Sequence, residues 1–326
     1  MNKKTLGLLA VVCLSGVTGC GAKTYSVGLG YSASFKAGQL DVTTAVAAFD
    51  KDGKVYDVRF DVVQVKFTAN EAKDGLTLTN KNVDANGSVT TKLELGLGYN
   101  MLNSSAIKKE CDEQIEAFAD WCVGKTAEEV KAGTPGAGHG EAVNEELASS
   151  VTITVDAFEE ALANAFATKS ETTFKLTGTA GVAMVSGLAY NYGKPTKEIS
   201  VNVGGAFVKD GKIEAALMDE IVCPVAIAED GTTSLGSGKY VANGKLVSKK
   251  ALGDDYKMRP ASPIKAEWDE QAAVIEEAVI GLTANEVTAL EAGKDSLAGA
   301  TMTVNSYLAA IAKAATYAEK EVISAR

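Results

Sequence analysis

Histidine is almost absent from this chain: His139 is the single one in 326 residues, set in the Gly-rich stretch Gly136-Ala-Gly-His-Gly140. Neither a His-paired hydrolase triad nor a His-rich metal site can therefore be assembled, and His139 reads as a solvated loop residue. Basic excess is lacking too. With 32 Lys and Arg against 42 Asp and Glu, the formal charge is -10, which leaves no cationic patch for counterion release and argues against nucleic acid as a partner. Beyond the N-terminal segment no apolar run is long enough for a spanning helix. The five cysteines include no metal-ligand spacing. Cys111 and Cys122 fall in one expected helix, roughly 16 Å apart along its axis, too far to bridge, and with Cys223 they read as buried small hydrophobes. Hydrophobic residues make up 46% of the chain, an ordinary globular share, and roughly 300 residues suffice for two domains with separate cores.

The N-terminus has the layout of an export signal. Lys3 and Lys4 precede an apolar stretch from Leu6 to Val12, and small residues lead to Cys20, the three-part pattern of a secretory signal peptide. The apolar stretch is too short to cross about 30 Å of hydrocarbon. Val17-Thr18-Gly19-Cys20 resembles the bacterial lipobox, which implies lipidation of Cys20, removal of residues 1–19 and a lipid anchor on the extracytoplasmic face of the cell membrane. A plain signal peptide that contains a cysteine is the competing reading.

The remaining chain repeats itself. Leu95-Gly96, Tyr99, Met101, Ser105, Ile107-Lys108, Glu110 and Asp112-Glu113-Gln114 recur without a gap as Leu252-Gly253, Tyr256, Met258, Ser262, Ile264-Lys265, Glu267 and Asp269-Glu270-Gln271. Lys51-Asp-Gly-Lys54 matches Lys209-Asp-Gly-Lys212 upstream, and Thr152-Ile-Thr-Val155 matches Thr301-Met-Thr-Val304 downstream. A period this long marks duplicated domains rather than solenoid units. The expected organisation is a signal peptide at 1–19, a first domain at 20–170 and a second at 171–326.

Each copy reads as strands followed by helices. Alternating β-rich runs follow the two Asp-Gly turns, at Lys54 to Val65 and Lys212 to Cys223, and predict antiparallel hairpins. Ser105 and Ser262-Pro263 are expected to open helices ending at Gly124 and Gly281. Thr126-Ala-Glu-Glu129 and Thr283-Ala-Asn-Glu286 fit capping boxes, and last helices are expected after Asp156 and Asn305. The fold class is α+β, in two tandem copies of an antiparallel sheet with helices.

Most familiar chemistry is missing. Gly28-Leu-Gly30 and Gly236-Ser-Gly238-Lys239 lack the strand, spacing and helix of a phosphate loop and read as strand bends and turns. Asp112/Glu113 and Asp269/Glu270, with Lys108 and Lys265 one turn before, read as salt-bridged helix faces. What stands out is Asp295-Ser-Leu-Ala-Gly299-Ala300-Thr301-Met-Thr303 before the last helix. It resembles the attachment motif of the FMN-binding domain family, found in subunits of sodium-pumping NADH:quinone oxidoreductase, in Rnf-type complexes and in flavinylated electron-transfer lipoproteins. The family pattern is Asp, two variable residues, Ser or Thr, Gly, Ala, then the Thr or Ser that carries FMN; here Ala298 replaces the first hydroxyl residue.

That resemblance implies FMN joined through a phosphoester to Thr301, with Asp295, Gly299 and Ala300 recognised by a flavin transferase. A small, exposed Gly-Ala approach is expected to clear the hydroxyl for phosphoryl transfer, and amides at the start of the following helix are placed to stabilise a phosphate. The first copy has Glu146-Leu-Ala-Ser-Ser150-Val151-Thr152 at this place, without the Gly-Ala step, and is degenerate as a flavin site. Both copies are expected to need a threonine-initiated strand here. Trp268, where the first copy has Cys111, offers an indole that stacks on an isoalloxazine or simply packs. The function implied is an extracytoplasmic electron carrier, fed by a membrane donor that oxidises quinol or NADH, with no acid or base of its own. The alternative is a flavin-free binding or structural lipoprotein that retains the duplicated fold.

Overall fold

The computed structural model describes residues 23–134, 136, 141, 143–191, 193–292, 294 and 297–324. The expected signal peptide, Cys20, His139 and Asp295 lie outside the described residues.

The first half begins with strands β1 (Ser26–Lys36), β2 (Gln39–Phe49), β3 (Val55–Ala69) and β4 (Leu76–Leu78), an antiparallel sheet in sequence order. Helices α1 (Lys92–Leu95), α2 (Cys111–Cys122), α3 (Ala127–Gly133) and α4 (Asp156–Ala167) follow. The second half repeats the order. Strands β5 (Thr179–Leu188), β6 (Glu198–Lys209), β7 (Lys212–Ile227) and β8 (Thr233–Leu235) form the second sheet, and β9 (Val241–Ala242) pairs with β10 (Lys245–Leu246). Helices α5 (Lys249–Leu252), α6 (Trp268–Ala278), α7 (Ala284–Thr288) and α8 (Asn305–Ser324) complete it. The fold is α+β in two tandem copies.

Strand alternation decides how these parts stack. On β2, Leu40, Val42, Val46 and Ala48 enter one core while Ala45, Ala47 and Phe49 enter another, because successive side chains point to opposite faces. The first core is shared: Val46 and Val63 from one half pack with Val182, Val201 and Val203 from the other. The second and third cores lie between each sheet and its own helices. The layers therefore run helices, sheet, sheet, helices, and the halves are joined by a core that belongs to both.

Glycine sets the helix–sheet spacing. A Cβ on Gly28 would stand 2.0 Å from Ala165 O of α4, and one on Gly181 would stand 2.0 Å from Ala314 O of α8. Gly28 and Gly30 thus lie inside β1, where bends and turns were expected, and serve the close approach of a helix backbone.

The predicted helix starts are corrected. α2 and α6 begin at Cys111 and Trp268, not at Ser105 and Ser262, and each is capped by a glutamate box, Glu110 with Glu113 and Glu267 with Glu270. Lys108 and Lys265 are both at φ 54°, a left-handed conformation that a right-handed helix cannot pass through. These lysines therefore do not precede the acidic pairs on a helix face; Lys108 Nζ donates to Asn103 O at 3.3 Å and Lys265 Nζ to Pro260 O at 3.1 Å. The boxes at Thr126/Glu129 and Thr283/Glu286 form as read.

Candidate functional site

The segment before α8 is irregular, with no strand at Thr301 or at Thr152, although a threonine-initiated strand was expected. Leu297 and Ala300 are fully buried and anchor it, so the Gly-Ala approach is not exposed at Ala300 as expected, because that methyl packs into the core beneath the segment. Gly299 faces α6, where a Cβ would meet Val274 Cγ1 at 3.0 Å, so packing alone already disfavours a side chain there. Thr301 itself is exposed. Its N–H donates to Gln271 Oε1 at 2.8 Å and its Oγ1 to the same oxygen at 3.2 Å.

Gln271 is fully buried, and its Nε2 donates to Ser262 Oγ at 3.3 Å and Ala266 O at 3.3 Å. One glutamine thus ties the threonine segment to the loop ahead of α6. The first copy repeats the device: Gln114 Oε1 accepts from Thr152 N (2.8 Å) and Oγ1 (3.3 Å), and Nε2 donates to Ser105 Oγ at 3.3 Å. Buried Glu110 and Glu267 accept from Leu102 N (2.8 Å) and Arg259 N (2.7 Å), and also from Met101 N and Met258 N. The duplicated pattern Met, Ser, Glu, Gln, Thr is therefore one polar network holding a loop and a threonine in place. The copies differ at its end, for Thr152 is 8% exposed and counts as buried whereas Thr301 is open to solvent.

Beside this segment lies a cavity of about 650 Å³ whose lining includes Thr303, Ser306, Tyr307, Ser186, Glu220 and Lys249. Tyr307 Oη donates to Glu220, Lys249 Nζ pairs with Glu220 Oε2 at 2.7 Å, and Ser200 Oγ donates to Glu220 Oε1 at 2.8 Å. Burial, reinforced by the Glu220 carboxylate, pushes the Tyr307 hydroxyl far above its ordinary value, so it stays a donor at any ordinary pH. Ser186 Oγ is buried with no hydrogen-bond partner among the described residues. The equivalent cavity of the first copy is lined by Val62, Phe158 and Cys111 at the places of Glu220, Tyr307 and Trp268, and so lacks this polar group. Trp268 is 1% exposed and packs edge-on against Tyr307 with centroids 5.7 Å apart; its ring is core.

Two carboxyls escaped notice in the sequence. Asp61 Oδ1 accepts from Leu93 N at 3.2 Å and Val62 N at 2.7 Å, and Asp219 Oδ1 from Lys250 N at 3.0 Å and Glu220 N at 2.7 Å. Each supports the first turn of a short helix, α1 or α5. Burial pushes Asp61 up to about 7 and Asp219 up to about 6, against the pull of these hydrogen bonds. The available signal was an aspartate at the same place of the repeat in Val58-Arg-Phe-Asp61-Val and Ala216-Leu-Met-Asp219-Glu.

The three described cysteines are buried and free, and burial pushes Cys111 up to about 11 and Cys223 up to about 12, so their thiols stay protonated and unreactive. Among the described residues no helix is long and apolar enough to cross a membrane. Of the expected flavin residues, Gly299, Ala300 and Thr301 are brought together on one turn. Lys239 of the second glycine stretch lies over the Tyr256 ring, 3.9 Å from its centroid, in a turn region without a phosphate-loop helix.

Similarity to known proteins is narrow. The chain is 32% identical over 125 residues, 34% of its length, to a chlorophenol reductase of Desulfitobacterium hafniense, and the match spans 38% of that relative. No protein-family model matches, and no solved structure matches.

Proposed function

We propose that this protein is a membrane-anchored, extracytoplasmic electron carrier with FMN attached covalently at Thr301 and a lipid anchor at Cys20. The observation that carries this reading is the exposure of Thr301 on a Gln271-held segment while its counterpart Thr152 is buried. A transferase reaches the first hydroxyl and not the second. The residues nearby fit the group: a roomy cavity with both apolar and polar walls adjoins the threonine segment, and an orphaned Ser186 hydroxyl lines it. On this reading a flavin transferase recognises Asp295 and Gly299, while the buried Ala300 only keeps the approach to Thr301 small.

Bound FMN supplies reversible electron transfer. The chain's own residues hold and orient. Gln271 fixes the Thr301 backbone, and a flavin nucleotide with an anhydride-activated phosphate would supply the FMN: its P–O anhydride bond would break, the nucleoside monophosphate would leave with the Thr301 hydroxyl proton, and the protein would gain FMN less water. The Lys249–Glu220–Tyr307 group supplies a polar wall of the adjoining cavity. Electrons would come from a membrane donor that oxidises quinol or NADH, and the reductase identity of the D. hafniense relative accords with a redox role.

One observation favours a flavin-free binding or structural lipoprotein instead: Gly299 is accounted for by its contact with Val274, and the first copy keeps the same Gln-held threonine without the Gly-Ala step. Intact mass after co-expression with a flavin transferase separates the two. Wild type is expected to gain one FMN less water and Thr301→Ala to gain nothing. An unmodified wild type, with the transferase active on a control substrate, leaves the flavin-free reading standing.

A further inference from the structure

The halves meet along two seams that the internal repeat relates, and the seams are not alike. In one, Glu94 closes the capping box of α1 and also accepts from Tyr317 Oη at 3.2 Å and pairs with Lys313 of α8. At the equivalent positions of the other seam the sequence has Ala251 for Glu94, Asn164 for Lys313 and Thr168 for Tyr317. Three large side chains have become small ones. A groove of about 530 Å³ stands there, between β1 and α4 of the first half and β7, β10 and α5 of the second. The Ser248 N–H, whose counterpart on Thr91 is taken by Glu94, is accepted by Tyr31 Oη at 2.9 Å, and Tyr31 Oη donates to Leu246 O at 3.1 Å. A phenol from the first half thus caps a helix of the second and leaves the space beside it open.

We propose that this groove binds a small uncharged aromatic molecule bearing a hydroxyl group. Its volume lies in the range of small-molecule sites. Leu29, Leu217 and Leu246 supply apolar walls from both halves and Tyr31 adds an aromatic ring to the lining, surfaces against which an aromatic ligand can pack. The charges around it are already matched: Lys245 pairs with Glu160 at 2.9 Å, Lys250 with Glu276 at 2.6 Å, and Asp219 is held by backbone amides. An ionic ligand would find no uncompensated partner. At the rim Asn164 Nδ2 donates to Tyr31 O at 2.8 Å and Thr168 Oγ1 to Leu29 O at 2.8 Å. The single Thr168 hydroxyl donor and one of the two Asn164 Nδ2 hydrogens are used in this way, which leaves Thr168 Oγ1 and Asn164 Oδ1 with acceptor capacity for a ligand hydroxyl. This site uses none of the residues around Thr301 and stands whether or not flavin is attached.

The test is calorimetric titration of the full-length protein with 2-naphthol, and with 2-naphthalenesulfonate as the charged comparison. Saturable one-to-one binding of 2-naphthol is expected, with the sulfonate bound at least about tenfold more weakly. Ala251→Glu combined with Thr168→Tyr, which copies two residues of the closed seam, is expected to weaken 2-naphthol by at least about tenfold with the thermal midpoint retained. Should that pair fail to fold, Thr168→Tyr alone, at the exposed rim, makes the same test. Absence of saturable 2-naphthol binding to wild type, equal binding of the sulfonate, or unchanged affinity in the folded variants would overturn the proposal.

Discussion

Buried Gln114 and Gln271 show how much one polar side chain can organise. Each satisfies a threonine amide and hydroxyl on one side and a serine hydroxyl on the other, and removing the amide would orphan groups that have few other partners. Gln271→Met is expected to cost about 2 kcal/mol in urea denaturation, and to lower the yield of any modification at Thr301 by loosening its segment. A variant as stable as wild type would show that the network does not hold the turn. Asp61 carries a pH signature. Its carboxyl rises from 3.8 to about 7 in the fold, so the folded state holds the proton more tightly than the unfolded chain. Its contribution is therefore fully present below about pH 4 and is lost as pH rises through about 7; Asp219 acts the same way with the upper end near 6. Asp61→Asn keeps an Oδ1 acceptor without the charge, and its stability measured from pH 5 to 7.5 should fall less steeply than that of wild type. Parallel slopes would refute this.

Among the elements, α4 and α8 are the ones whose position depends on missing side chains. Gly28 in β1 lets the carbonyl of Ala165 approach where a Cβ would stand at 2.0 Å, and neither partner is a flexible side-chain end that can swing away. Gly28→Val should therefore lever α4 off the sheet and cost about 3 kcal/mol. Gly98→Ala is the control: nothing lies within 4 Å of its Cβ position, and the change should stay within about 0.5 kcal/mol. Comparable thermal midpoints for the two variants would contradict the packing argument. The short helices α1 and α5 are set by capping rather than length. At four residues each they are far below what propensity alone sustains, and the buried aspartates and the Thr91 and Ser248 caps are what define them.

For the whole molecule, the decisive fact is the core between the sheets. Leu40, Val42, Val46, Val63, Val65 and Phe67 of the first half are all at most 1% exposed because the second sheet covers them. Residues 20–170 produced alone would present that face to water, a patch well beyond what monomers expose. The half-chain is expected to dimerise or aggregate in light scattering coupled to size exclusion. A stable monomer would mean that each sheet closes its own core. The same arrangement couples the two halves, because a substitution at a seam in either half alters the packing of both.

Periodicity, turn residues and duplication were enough to establish the α+β class, the Asp-Gly hairpins, the threonine capping boxes and the last helices, because each rests on contacts between residues close in the chain. The repeat also marked Glu110, Gln114 and their partners without saying what they did. Their role comes from bonds between residues as far apart as Thr301 and Gln271. The helix starts were misplaced because Ser105 and Ser262 look like caps locally, while the left-handed Lys108 and Lys265 and the buried glutamates end the loop elsewhere. No local pattern distinguishes an exposed Thr301 from a buried Thr152, or places Thr168 beside Ala251 across the groove. Those distinctions arise only when two sheets pack face to face, since burial is a property of what the rest of the chain brings to a residue and not of the residue itself.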